Sequence, residues 1–297
     1  MALITLFSLT ACAAGNDNDN NDKIKIVTTL FPQYDFAKNI AGDNADVTLL
    51  LSPGAESHSF EPTASDIALI QQADLFIYVG GQSEVWVDKI LDSSGNKENS
   101  LCLFDYISPL EEEHDHDHAH GNEYDEHIFT SLKNSANLID VINDRICKID
   151  SKNADVYHAN AEKYKSEIEA LDNEFTDMIA NAKRKTIVFG DRFPFRYFAQ
   201  DYGLEWYAAF SGCSSETEAS PATISELINI INEEQILIVF HIEFSNEKIA
   251  QKISQATGAK VELLHSCHNI SKEDFENGVT YLQLMKNNYE ILSEALN

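Results

Sequence analysis

Basic residues are scarce in this chain. Lysine and arginine number 21 against 49 aspartates and glutamates, for a formal net charge of -28. That imbalance argues against a nucleic-acid or anionic-membrane surface as partner and favours cations. Solubility alone would also fit it. Long hydrophobic runs are lacking as well. The apolar stretch over residues 1–12 is too short to span a bilayer and reads as the h-region of a signal peptide. No H-E-x-x-H occurs, so the chain carries no helical zinc-protease signature. Residues 152–182 contain neither proline nor glycine, and nothing there breaks a helix.

What the chain has in excess is histidine in one place. Five of its ten histidines, His114, His116, His118, His120 and His127, fall within residues 111–127. Aspartate, glutamate, Gly121 and Asn122 fill most of the remainder, without an apolar period, so a loop is expected. Neutral imidazole is the commonest protein ligand for transition metals, and carboxylates add attraction. The four alternating histidines therefore read as an auxiliary metal-capturing loop. A better-ordered site must come from the fold.

Residues 9–12, Leu-Thr-Ala-Cys, resemble the lipobox of bacterial lipoproteins, with Cys12 as the lipidated residue. A polar, turn-rich tether follows to residue 22. The expectation is an extracytoplasmic protein held at the cell membrane only by a lipid anchor. Such a location permits disulfides. Cys213 and Cys267 share the second half and are expected to pair, although four thiols allow three full pairings.

After the tether, β-branched runs alternate with helical periods. Residues 23–150 read as one α/β lobe and residues 183–297 as a second, each a mainly parallel sheet flanked by helices. Between them, over residues 151–182, Tyr157, Ala161, Tyr164, Ile168, Leu171, Phe175 and Ile179 recur every three or four residues. About thirty residues at 1.5 Å each make a rigid linking helix of roughly 45 Å.

Ligands of open parallel sheets bind beyond the carboxyl ends of the strands, so two lobes can face each other across a cleft. Three histidines sit at suitable loops: His58, His127 and His268, with His265 competing for the last place. Three imidazoles from separate loops suit Zn²⁺, with a carboxylate or water completing a tetrahedron.

On these residues the chain resembles the metal-specific substrate-binding lipoproteins of ABC importers, which take up zinc, manganese or iron. The resemblance covers residues 23–297. PGAESHSFEP resembles the family's first-ligand motif and implies a ligand at His58; DEHIFTSLKN implies one at His127. HNIS followed by GVTYLQLMKNN implies the last ligand at His268, where the family usually has aspartate. A histidine-rich loop just before the second ligand is typical of zinc importers. The third motif departs: FGDRFPFRYF has no histidine, and places Gly190 or Arg192 at the ligand position. Asp191 is the nearest oxygen donor; His241 and Glu243 are the other candidates.

The resemblance implies a monomeric, non-enzymatic protein that captures Zn²⁺ and passes it to an ABC-type metal permease. Nitrogen-rich ligation favours zinc over manganese or iron. Two rivals belong to other classes. A zinc hydrolase would need a general base, for which Glu56 or Glu61 is available, and chelator-sensitive turnover would reveal it. A metal-buffering or adhesive surface lipoprotein would leave zinc uptake normal on its deletion.

Overall fold

Alternating buried strands and amphipathic helices build two sheets, one from each half of the chain. The computed structural model describes residues 23–57, 60–111, 124–210 and 219–297. His58, His114, His116, His118, His120, Cys12 and Cys213 therefore lie outside the described residues. The first half runs β1 (Ile24–Thr28), α1 (Phe31–Ala41), β2 (Ala45–Leu49), α2 (Ala64–Gln72), β3 (Leu75–Tyr78), α3 (Val85–Ser94), β4 (Ser100–Cys102) and α4 (Leu132–Ile149). The long helix α5 (Ala154–Ala180) follows. The second half runs β5 (Thr186–Arg192), α6 (Arg196–Tyr202), β6 (Glu205–Phe210), α7 (Pro221–Glu234), β7 (Ile238–His241), α8 (Lys248–Thr257), β8 (Lys260–Leu263), α9 (Lys272–Glu276) and α10 (Tyr281–Leu296).

The sheets have the orders β2-β1-β3-β4 and β6-β5-β7-β8, and every pairing is parallel. Each first strand thus lies inside its sheet, and the same winding occurs twice. Parallel strands need helical crossovers, which cover both faces and leave the strands buried. Among the described residues no helix is long and apolar enough to cross a membrane.

Helix α5 buries the seven residues of the expected stripe. Its N-terminal half packs on α1 and α4, and its C-terminal half on α6 and α10. Aromatic rings mark both ends: Tyr164 lies 6.4 Å from Phe36, and Phe175 touches Phe198, Tyr202 and Tyr289 at 5.1–5.6 Å between centroids. One apolar cluster runs through α1, α4, α5 and α10, so the rod and both lobes share a core.

Hydrogen bonds set several of the element boundaries. The helix α2 is capped by Thr63; the Thr63 hydroxyl accepts from Asp66 N, and the Asp66 carboxylate accepts from Thr63 N at 2.8 Å. Strand β4 stops at Cys102, because residues 103–106 wind into a 3₁₀ turn that donates Phe104 N to Val79 O. The terminal helix begins at Tyr281, and a separate short helix, α9, precedes it.

Gly190 has a packing role. A Cβ there would meet the Ala250 backbone at 2.4 Å, where α8 crosses β5. Backbone cannot swing aside as a side chain can. Gly190→Ala is expected to lose about 3 kcal/mol, the upper end for overpacking, read as a lowered urea midpoint. An unchanged midpoint would show that α8 is loosely seated.

Candidate metal centre

The carboxyl ends of both sheets meet in a small cavity lined by Glu56, Ser57, His127, Arg192, Glu243 and His268, among others. Its volume of about 30 Å³ admits one ion or water and little more.

His127 enters from the segment before α4. It is 1% exposed, and its Nδ1 lies 2.8 Å from Asp125 Oδ1. The same carboxylate oxygen accepts the His127 backbone N–H at 2.8 Å. Nδ1 is thereby held as the protonated nitrogen, which makes Nε2 the lone-pair atom. Tyr197 of α6 donates to Asp125 O at 2.8 Å, so the second lobe steadies this segment. Glu126, the residue between them, turns away to accept from Ser83 N and Oγ, and burial pushes its carboxyl pKa up.

His268 comes from the loop between β8 and α9. Its ring centroid is 5.0 Å from that of His127, and the planes cross at 82°. Ser57 Oγ lies 3.4 Å from its Nδ1. The loop is braced by Glu243, which accepts from Ser266 N at 2.8 Å and from Ser266 Oγ at 2.5 Å. His265 Nδ1 accepts Cys267 N at 2.9 Å, fixing the left-handed turn at Cys267, and lies 3.8 Å from Glu243 Oε2.

The remaining expected ligands occupy other places. Asp191 ends β5 beside the cavity and lines the adjoining pocket. Its two oxygens accept from Arg192 N at 2.8 Å and Ile242 N at 3.2 Å. His241 bonds Ile242 O through Nδ1, with its Nε2 3.8 Å from Glu247. Among the described residues no three histidine, cysteine, aspartate or glutamate side chains form one metal-binding group. The third imidazole of the expected set, His58, directly follows Ser57 and lies outside those residues. So does most of the histidine-rich loop, whose described ends are joined by the antiparallel bridge between Glu111 and Tyr124.

Residues 26–295 match the family described as zinc-uptake complex component A, periplasmic, or ZnuA. The chain belongs to the ZnuA family. It is 32% identical to the zinc-binding lipoprotein AdcA of Streptococcus pneumoniae serotype 4 over 99% of its own length, and spans 60% of that relative's length. It is also 32% identical to the high-affinity zinc uptake system protein ZnuA of Bacillus subtilis, covering 98% of this chain and 97% of that one. The solved Zn(II)-bound ZnuA-like domain of S. pneumoniae AdcA superposes with a TM-score of 0.78 at 30% identity, over 92% of this chain and 99% of that domain.

Arginine is among the residues that line the cavity. Arg192 stands at one of the two positions to which the third motif could be aligned. Its guanidinium, which carries no lone pair for a metal, lies 3.6 Å from Glu56. Sequence reasoning passed over Asp125, Ser57 and Asn269. Asp125 alone carried a local signal, a carboxylate two residues before a candidate ligand.

The cysteines are structural in setting. Cys267 is a free thiol with no exposed surface, packed in the main core, while its expected partner Cys213 lies outside the described residues. Cys102 and Cys147 are also free, so they do not pair with each other.

Proposed function

We propose that the protein captures Zn²⁺ outside the cytoplasm and delivers it to an ABC-type permease, with His127, His268 and His58 as nitrogen ligands. The observation that carries this reading is the pair of rings at 5.0 Å and 82°. With Zn–N near 2.1 Å, each ring centroid stands about 3.2 Å from the ion, and a tetrahedral angle then separates two centroids by about 5.2 Å. His127 and His268 match that spacing. The oxygen donor comes from the second lobe, either Glu243 in the same cavity or Asp191 next to it. The role is binding and delivery, not catalysis. Cys12 supplies the lipid anchor, the chain acts as a monomer, and the histidine-rich loop gathers ions near the cleft.

The test is a competition titration of the whole protein with zinc and manganese. Tighter zinc binding is expected, because imidazole suits zinc better than manganese. Tighter manganese binding would contradict the reading. Asp125 gives a second check. Asp125→Asn keeps the shape but removes the charge that holds the His127 tautomer, and zinc affinity is expected to fall about 10- to 100-fold. An unchanged affinity would mean that His127 does not ligate through Nε2.

A further inference from the structure

Asn269 follows His268 in the second lobe and is 2% exposed. Its side-chain amide nitrogen donates twice across the cleft, to Ser52 O and Ala55 O, both at 2.8 Å. Its Oδ1 accepts Ile270 N at 2.8 Å. Both amide protons and the carbonyl are thus committed, and only an amide matches two carbonyl acceptors and one N–H donor at this place. A fourth bond runs the other way: Gly54 N donates to Ile270 O at 2.8 Å, from a residue with φ of +83°.

The carbonyls that Asn269 holds belong to the first-lobe loop after β2. That same loop carries Glu56, ion-paired with Arg192, and Ser57, which lies against His268 Nδ1. Five of the six first-lobe residues 52–57, all but Pro53, therefore make a polar contact with second-lobe protein groups. An ordered loop binds more tightly than one the ligand must first order.

We propose that Asn269 is a positioning residue, a clasp that seats the 52–57 loop on the second lobe before any metal arrives and slows metal release afterwards. The clasp rests on the reading of His127 and His268 as zinc ligands. Ligation then completes a site that is already closed on this side, and opening for release requires Asn269 to let go of two carbonyls.

Amide hydrogen exchange of the metal-free protein reads the clasp directly. The Gly54 amide of the wild type is expected to exchange at least about 100-fold slower than an unstructured peptide. In Asn269→Asp, which keeps the size but loses the donors, this protection is expected to vanish. Zinc dissociation from the same variant, followed by transfer to a chromophoric chelator, is expected to be about tenfold faster. His268→Ala serves as the contrast: it should weaken zinc yet leave Gly54 protected. Zinc binding by His268→Ala at wild-type strength would overturn the ligand reading instead. Free exchange at Gly54 in the metal-free wild type would overturn the clasp, as would an Asn269→Asp variant with wild-type exchange and release. Should that variant not fold, the wild-type exchange decides alone.

Discussion

His127→Ala and His268→Ala are each expected to weaken zinc binding by at least about 100-fold. Each substitution removes one of the two imidazoles proposed as ligands, which line one cavity of about 30 Å³. Removing a supporting group alone typically lowers metal affinity 10- to 100-fold, so loss of a ligand itself should exceed that. Both rings are buried, so circular dichroism must show each variant folded before its affinity is read. Competition with a chelator of known strength gives the affinities. If both variants bind zinc like the wild type, the metal sits elsewhere.

Asp35→Asn is expected to stabilise the protein at pH 8 much more than at pH 5. Asp35 lies on α1 against α5, and accepts the Tyr164 hydroxyl at 2.5 Å. Burial raises its carboxyl pKa from 3.8 to about 7, against the opposing hydrogen bonds from Tyr164, Tyr281 and Asn39. The folded pKa lies above the unfolded one, so the sign is fixed. Below 3.8 both states hold the proton and no penalty arises. As pH rises towards 7 the unfolded chain releases its proton while the folded one keeps it, and stability falls by about 1.4 kcal/mol per pH unit. Between pH 5 and 7 that amounts to about 3 kcal/mol, and above 7 the loss stays constant. The asparagine has no proton to lose and still accepts from Tyr164. Urea unfolding at both pH values, compared between wild type and variant, should show a difference of differences of about 3 kcal/mol. An equal effect at both pH values would mean that Asp35 is ionised in both states. Glu84, whose pKa burial also raises to about 7, titrates in both proteins and cancels.

How far the sequence could be read follows from how local each signal is. The α5 stripe was legible residue by residue, because an uninterrupted helix repeats its buried face every three or four positions. The Ser131 cap of α4 and the Pro221 start of α7 are signals of the same local kind; each acts within one turn. The alternation of strands and helices carried the two parallel sheets. The end of strand β4 is decided by a tertiary bond, Phe104 N to Val79 O, which no local pattern announces. Within the site, His127 and His268 were found from their loops, and they meet. The role of Asn269 depends on carbonyls more than 200 positions away, which leave no trace beside it in the chain. Arg192 was noticed only as a departure from a family motif; its pairing with Glu56 is a matter of the folded cleft.

Crystals grown with zinc and measured on both sides of its absorption edge test the central claim most directly. An anomalous peak is expected between the His127 and His268 rings, about 2.1 Å from one nitrogen of each, with His58 reaching the same ion. A peak confined to residues 111–127, or bound away from both rings, would contradict the account.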